Sequence, residues 1–165
     1  RELNQFKFLV NKTGFNGTIG KQQTINSSST EPRSSNSIII KLQKEQGGIY
    51  TIPCKVNGLS LKFIFDTGAS SVSISKSEAI FMLKNGVGSI SDIIGRQQFQ
   101  TASGAILEGT RILIKKIEIG GLILRNVEAS VVHSNNAPLL LGQTVLSRLG
   151  KISIDYQSSS LIISK

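Results

Sequence analysis

The sequence predicts an all-β domain, a barrel or sandwich of short strands carrying one or two short helices. Three observations lead there. The apolar residues are mostly Ile, Leu and Val, which favour strands, and only 5% of the chain is aromatic. Turn dipeptides recur at close spacing: Gly47-Gly48, Asn57-Gly58, Ser103-Gly104 and Gly120-Gly121. No sustained alternation of helical and strand patterns occurs, so a parallel α/β fold is disfavoured.

The elements follow in order. Residues 38–42 form a β-branched run and 49–56 a second strand, in which Pro53 marks an edge or a bulge. Asn57-Gly58 is the strongest hairpin signal, and 59–65 is the returning strand. The chain then turns at Asp66-Thr67-Gly68 and resumes at Val72-Ser73-Ile74. Residues 77–84 read as a short helix, with Ala79, Ile80, Met82 and Leu83 on one face. Ser75 or Ser77 is its N-cap and Asn85-Gly86 its stop. A second helical turn is expected at 91–94. Residues 96–102 are a strand, 105–119 a long returning strand or pair, and 122–133 another strand. Pro138 to Gly142 is a short apolar strand. Residues 143–149 look helical, stopped by Gly150. A final hairpin pairs 151–156 with 161–164.

Residues 1–36 have a different composition, dominated by Asn, Ser, Thr, Gln and Gly. They are expected to be a polar, partly disordered tail or linker ahead of a domain spanning 37–165. Only residues 5–10 there look strand-like. Three Asn-x-Ser/Thr triplets start at Asn11, Asn16 and Asn26, a yield such a composition gives by chance.

Charge and cysteine usage narrow the function classes. The net charge is +9, but Lys and Arg are dispersed, with Lys115-Lys116 the densest cluster. Nucleic-acid binders concentrate charge and interleave aromatics, so no nucleic-acid partner is expected. Cys54 is the only cysteine, which rules out a disulfide within the chain. Its apolar neighbours make it a small core side chain. No His/Cys/carboxylate cluster suggests a metal, and His133, the only histidine, reads as a strand-end residue. No run is long enough for a transmembrane helix. The chain begins at Arg1, so an upstream targeting or tethering segment is compatible with it.

One motif carries chemistry. Asp66-Thr67-Gly68 follows the apolar strand Leu61-Lys62-Phe63-Ile64-Phe65 and precedes Ala69, Ser70 and Ser71. A carboxylate at the mouth of a loop between apolar strands is partly desolvated, which is costly unless it is paired or functional. The bland reading is a turn aspartate that bonds its own backbone. The local pattern alone divides evenly between the two.

The wider pattern resembles the retropepsin-like aspartic peptidases. Ile64-Phe65-Asp66-Thr67-Gly68-Ala69-Ser70 looks like their active-site loop. Leu139-Leu140-Leu141-Gly142 followed by a helix looks like their second signature, threaded beside that loop. Ala102-Ser103-Gly104-Ala105-Ile106 lies where the family has its flap hairpin. The resemblance covers about 38–165, and the helix at 77–84 is similar to that of bacterial members.

The resemblance implies a closed β-barrel, the acid protease fold. It also implies an endopeptidase in which two carboxylates share a proton and activate water, with no cofactor and no metal. Asp66 would be the catalytic carboxylate. Thr67 would lock two loops across a dimer axis, and Gly68 would bring its N–H to the carboxylate. Ala69 matches the retroviral form of the loop. Ala69, Ser70, Ser103, Gly104, Ala105 and Ile106 would contact an extended polypeptide substrate. The other aspartates, Asp92 and Asp155, are not followed by Thr/Ser-Gly, so one chain supplies one catalytic Asp and a homodimer is implied. The C-terminal run 161–164 is a candidate interface strand. A bacterial protein, extracytoplasmic or tethered through a segment outside this sequence, is the reading for location. The runner-up function is a protease-like peptide-binding module that cleaves weakly. A basic β-domain for anionic partners stands third.

Overall fold

A computed structural model describes residues 37–101 and 103–164. The expected polar tail with its triplets lies outside them, as do Ala102 and Lys165.

The domain has eleven strands and two short α-helices among the described residues. In chain order the strands are β1 (Ser37–Lys41), β2 (Gln43–Lys44), β3 (Tyr50–Val56), β4 (Leu59–Phe65) and β5 (Val72–Ser75). Helix α1 (Lys76–Lys84) follows, then β6 (Ile93–Gln100), β7 (Ile106–Ile119) and β8 (Leu122–Val132). The chain closes with β9 (Leu140–Leu141), α2 (Gln143–Leu146), β10 (Lys151–Asp155) and β11 (Ser160–Ser164).

The larger sheet runs β2-β3-β4-β9-β5-β8-β7-β6. A further pairing of β3 with β7, at Lys55↔Glu118 and Val56↔Ile117, closes its middle into a ring. The all-β expectation holds, and this ring is the form the expected barrel takes. Pro53 shows how sequence shapes it. Along its outer edge, β3 pairs with β2 at Tyr50 and Thr51 and with β7 at Lys55 and Val56. Pro53, which has no N–H to donate, falls in the gap between these two stretches.

The ring encloses the core. Ile52, Val56, Phe63, Val72, Ile74 and Leu141 are fully buried within it. Each such side chain contributes roughly 1.5–3 kcal/mol through burial. Cys54 is buried with them, and desolvation pushes its thiol up to about 12, in keeping with an inert core side chain.

The smaller sheet has the order β1-β11-β10. This corrects one expectation. β11 has no free edge to interleave with a second chain: β1 occupies one side and β10 the other, both along its full length.

Local signals set most boundaries. Asn57 (φ +48°) and Gly58 (φ +93°) make the left-handed pair that a tight hairpin between β3 and β4 requires. Asn57 also ties this corner down: its amide oxygen accepts from Lys116 N–H at 2.9 Å and its NH2 donates to Val87 O at 2.9 Å. Ser75 caps α1 by accepting from Glu78 N–H at 3.2 Å. The expected helical turn at 91–94 is shorter, a 3-10 turn over Ile90–Asp92. Asp92 accepts from Ser89 N–H there, which releases Ile93 to start β6 three residues before the expected Arg96. The expected strand or pair at 105–119 is one strand, Ile106–Ile119. The second helix is a single turn, because Arg148 and Leu149 bond to carbonyls three residues back, not four.

Candidate active site

Asp66 directly follows β4 and is half-buried, while Thr67 and Gly68 are exposed. Three sets of contacts hold the loop. Within it, Gly68 N–H donates to Asp66 Oδ1 at 2.9 Å and Ala69 N–H donates to Asp66 O at 3.3 Å. A Cβ on Gly68 would stand 3.3 Å from Asp66 Oδ1, so the close approach of N–H to carboxylate favours glycine. Asp66 Oδ2 accepts nothing from the described residues.

The second set comes from β9. Although β4 and β5 are consecutive in sequence, they do not pair. β9 lies between them, parallel to β4 (Ile64↔Leu140, Phe65↔Leu141) and antiparallel to β5 (Ser73↔Leu140). Asp66 N–H donates to Leu141 O at 3.3 Å. The chain then passes through Gly142, where a Cβ would lie 2.3 Å from Ser71 O and 2.6 Å from Ala69 O. Only a residue without a side chain fits between the two limbs of the loop. This accounts for the apolar-apolar-Gly pattern in physical terms.

The third set was not visible in the sequence. Gln143 N–H donates to Ala69 O at 2.9 Å and its side-chain amide donates to Thr67 O at 2.8 Å. Thr144 Oγ1 accepts from Val72 N–H at 3.0 Å. The first two residues of α2 therefore fix both ends of the Asp66 loop. Their only sequence signal is their place directly after Gly142.

The remaining expected site residues form the tip of the β6–β7 hairpin. Ser103, Gly104, Ala105 and Ile106 are all exposed, and Gly104 is left-handed (φ +85°). Thr101 closes the tip: its N–H donates to Ala105 O at 2.9 Å and its Oγ1 accepts from Ala105 N–H at 3.1 Å. The arms behind the tip pair in register from Gly95↔Arg111 to Gln100↔Ile106. Ser70 is exposed at the end of the Asp66 loop and Ala69 is half-buried.

The other two aspartates have structural partners. Asp92 pairs with Lys115 at 3.4 Å. Asp155 accepts from Gln157 N–H and Ser158 N–H, at 2.9 and 3.3 Å, and from Ser158 Oγ at 2.6 Å. His133 Nε2 bonds Thr110 Oγ1 at 2.9 Å on the surface. A cavity of about 320 Å³ lies beneath α1, lined by Ile74, Met82, Ile112 and Val131 among others. It includes none of the expected site residues.

An all-β ring, a threaded strand beside an Asp-Thr-Gly loop and a long hairpin define an aspartic-protease scaffold carrying one such loop. The comparisons agree. The family described as "gag-polyprotein putative aspartyl protease" matches residues 52–148, more than half of the chain. The chain belongs to this family of retropepsin-like aspartic proteases. Among solved structures it is similar to a retropepsin-like aspartic protease from Rickettsia conorii. That match has 26% identity and a TM-score of 0.58, and covers 78% of this chain and 98% of the other. The fold is also shared with the retroviral protease-like domain of Ddi1 from Leishmania major. There the identity is 21% and the TM-score 0.52, covering 70% of this chain and 87% of the other. A search of the curated proteins finds no match.

Proposed function

We propose that the protein is an aspartic endopeptidase whose active site assembles when two chains bring their Asp66 carboxylates together. The observation that carries this reading is the state of Asp66. One oxygen is held by Gly68 N–H, the other accepts nothing from the described residues, and the loop is clamped by β9 and α2. A fixed, half-free carboxylate is what general acid–base chemistry needs.

Two such groups in contact cannot both ionise, so the pair holds one proton. The ionised member takes a proton from water as its oxygen attacks the peptide carbon. The protonated member donates to the carbonyl oxygen. Collapse of the tetrahedral species breaks the C–N bond, and the amine nitrogen leaves with a proton. Thr67, Ala69 and Ser70 frame the pair. The hairpin tip at Ser103, Gly104, Ala105 and Ile106 closes over an extended peptide and bonds its backbone. Neither a metal nor an organic cofactor takes part. A bacterial source is in keeping with the Rickettsia relative.

The test is cleavage of a peptide library by the purified full chain from acid to neutral pH. Asp66→Asn should abolish cleavage, a loss of at least about 10³-fold, while leaving the dimer intact. Full activity in that variant would refute the assignment, and absence of cleavage by the wild type would leave a peptide-binding module in its place.

A further inference from the structure

The cavity beneath α1 has a floor, a roof and an apolar rim. Its floor starts at a cross-strand row in which Ile74 on β5 pairs with Val131 on β8, and Val131 with Thr110 on β7. Ile112 and Ile114 continue the floor along β7, and Ile93 on β6 pairs with Ile112. The roof is the underside of α1, with Ala79 and Met82 at its centre. Ile74, Met82, Ile114 and Val131 are buried, whereas Ile80, Leu83 and Ile93 stand exposed around the cavity. Large apolar side chains in water beside an apolar hole are unfavourable, and an apolar occupant would cover them. The volume, about 320 Å³, is that of a small-molecule site.

The polar lining residues lie at two ends, marked along β7 by Thr110 and by Lys116. At the Lys116 end they are already engaged. Asn57 bonds Lys116 N–H and Val87 O, while the Asp92 carboxylate accepts from Ser89 N–H at 2.9 Å and pairs with Lys115 at 3.4 Å. At the Thr110 end the charge is unmatched. Thr110 Oγ1 and His133 Nε2 lie 2.9 Å apart. Lys76 N–H donates to Ser134 O at 3.0 Å, which places Lys76 beside them. Among the described residues no carboxylate pairs with the Lys76 ammonium. An apolar trough thus ends in a free cation and a hydroxyl.

We propose that this cavity binds a free medium-chain fatty acid, with its carboxylate at Lys76 and Thr110 and its chain lying along Val131 and Ile112 beneath Met82. From Thr110 to Ile114 the floor runs about 13 Å, at roughly 3.3 Å per strand residue, which an extended chain of about ten carbons spans. An anionic head meets the unmatched cation, whereas a neutral head leaves it unmatched. The inference does not rest on the peptidase reading, because none of these residues belongs to the Asp66 loop or the hairpin tip.

The experiment is calorimetric titration of the full chain with decanoate, octanoate and decanol at neutral pH and low salt. Decanoate should bind saturably, one per chain, and about fifteenfold tighter than octanoate, at roughly fourfold for each buried methylene. It should also bind about fivefold tighter than decanol, the upper range for an exposed charge pair. Lys76→Gln should bring decanoate to within about twofold of decanol and leave decanol unchanged. Ala79→Phe fills the cavity and should weaken both ligands at least about tenfold. Should that variant not fold, nuclear Overhauser contacts from bound decanoate to the Met82 and Ile112 methyls of the wild type serve in its place. Absence of saturable binding, an unaltered decanoate-to-decanol ratio in Lys76→Gln, full binding by folded Ala79→Phe, or contacts confined to residues outside the cavity would each overturn the proposal. So would retention on phosphatidylglycerol vesicles without saturable decanoate binding, which would make the apolar rim a membrane-facing patch.

Discussion

At the residue scale, the site depends on two glycines that work for different reasons. Gly68 is needed for an N–H to reach Asp66 Oδ1, and an added Cβ would only crowd that oxygen at 3.3 Å. Gly142 is needed because backbone from two limbs of the loop surrounds it, at 2.3 and 2.6 Å from where a Cβ would stand. Backbone cannot step aside as a flexible side chain can. Gly142→Ala should therefore destabilise the fold by about 3 kcal/mol, at the upper end for overpacking, and this is read by urea denaturation. Gly68→Ala should cost less stability and lower activity more. Asp66 was legible as a candidate because the Leu140-Leu141-Gly142 segment follows its Asp-Thr-Gly loop in the order the family resemblance implies. Gln143 and Thr144 were not, because their partners Thr67, Ala69 and Val72 become neighbours only once β9 has threaded between β4 and β5.

At the scale of elements, strands were readable from β-branched runs and turn dipeptides, and their ends were less so. β6 starts before the expected Arg96 because Asp92 works as a cap, a role that depends on its carboxylate folding back to Ser89 N–H. Ala79, Ile80, Met82 and Leu83 were expected on one face of the helix. Only Met82 is buried, while Ile80 and Leu83 are exposed at the rim of the cavity beneath α1. A nine-residue helix at the margin of a ring has core on only one narrow side. The β10–β11 turn makes a prediction of its own. The Ser158 hydroxyl holds the Asp155 carboxyl below its ordinary 3.8, with further lowering from Ser158 N–H, Gln157 N–H and the charge of Lys41. A carboxyl lowered in the folded state stabilises fully above its unfolded pKa and loses that contribution as pH falls through the folded value. The melting-temperature gap between wild type and Asp155→Asn should thus stay constant from neutral pH to about pH 5 and narrow in stronger acid. A gap that widened in acid would contradict the assigned role of the turn.

At the scale of the whole molecule, the chain supplies an aspartic-protease scaffold with one Asp-Thr-Gly loop, and the proposed chemistry calls for two. Asp92 and Asp155 lack the Thr/Ser-Gly a second loop would need, and both have structural partners. How two chains would meet was not legible. The C-terminal strand looked free to interleave, yet β11 is paired on both sides within its own chain. A second copy that extends this sheet must therefore do so at β1 or β10, the two outer strands. The most direct test is a crystal structure of the assembled, active protein, in which the separation of the two Asp66 carboxyls is measured. Oxygens about 3 Å apart across a two-fold axis are the predicted result. A protein that cleaves peptides as a monomer, or as an assembly whose Asp66 carboxyls stand more than about 10 Å apart, would contradict it.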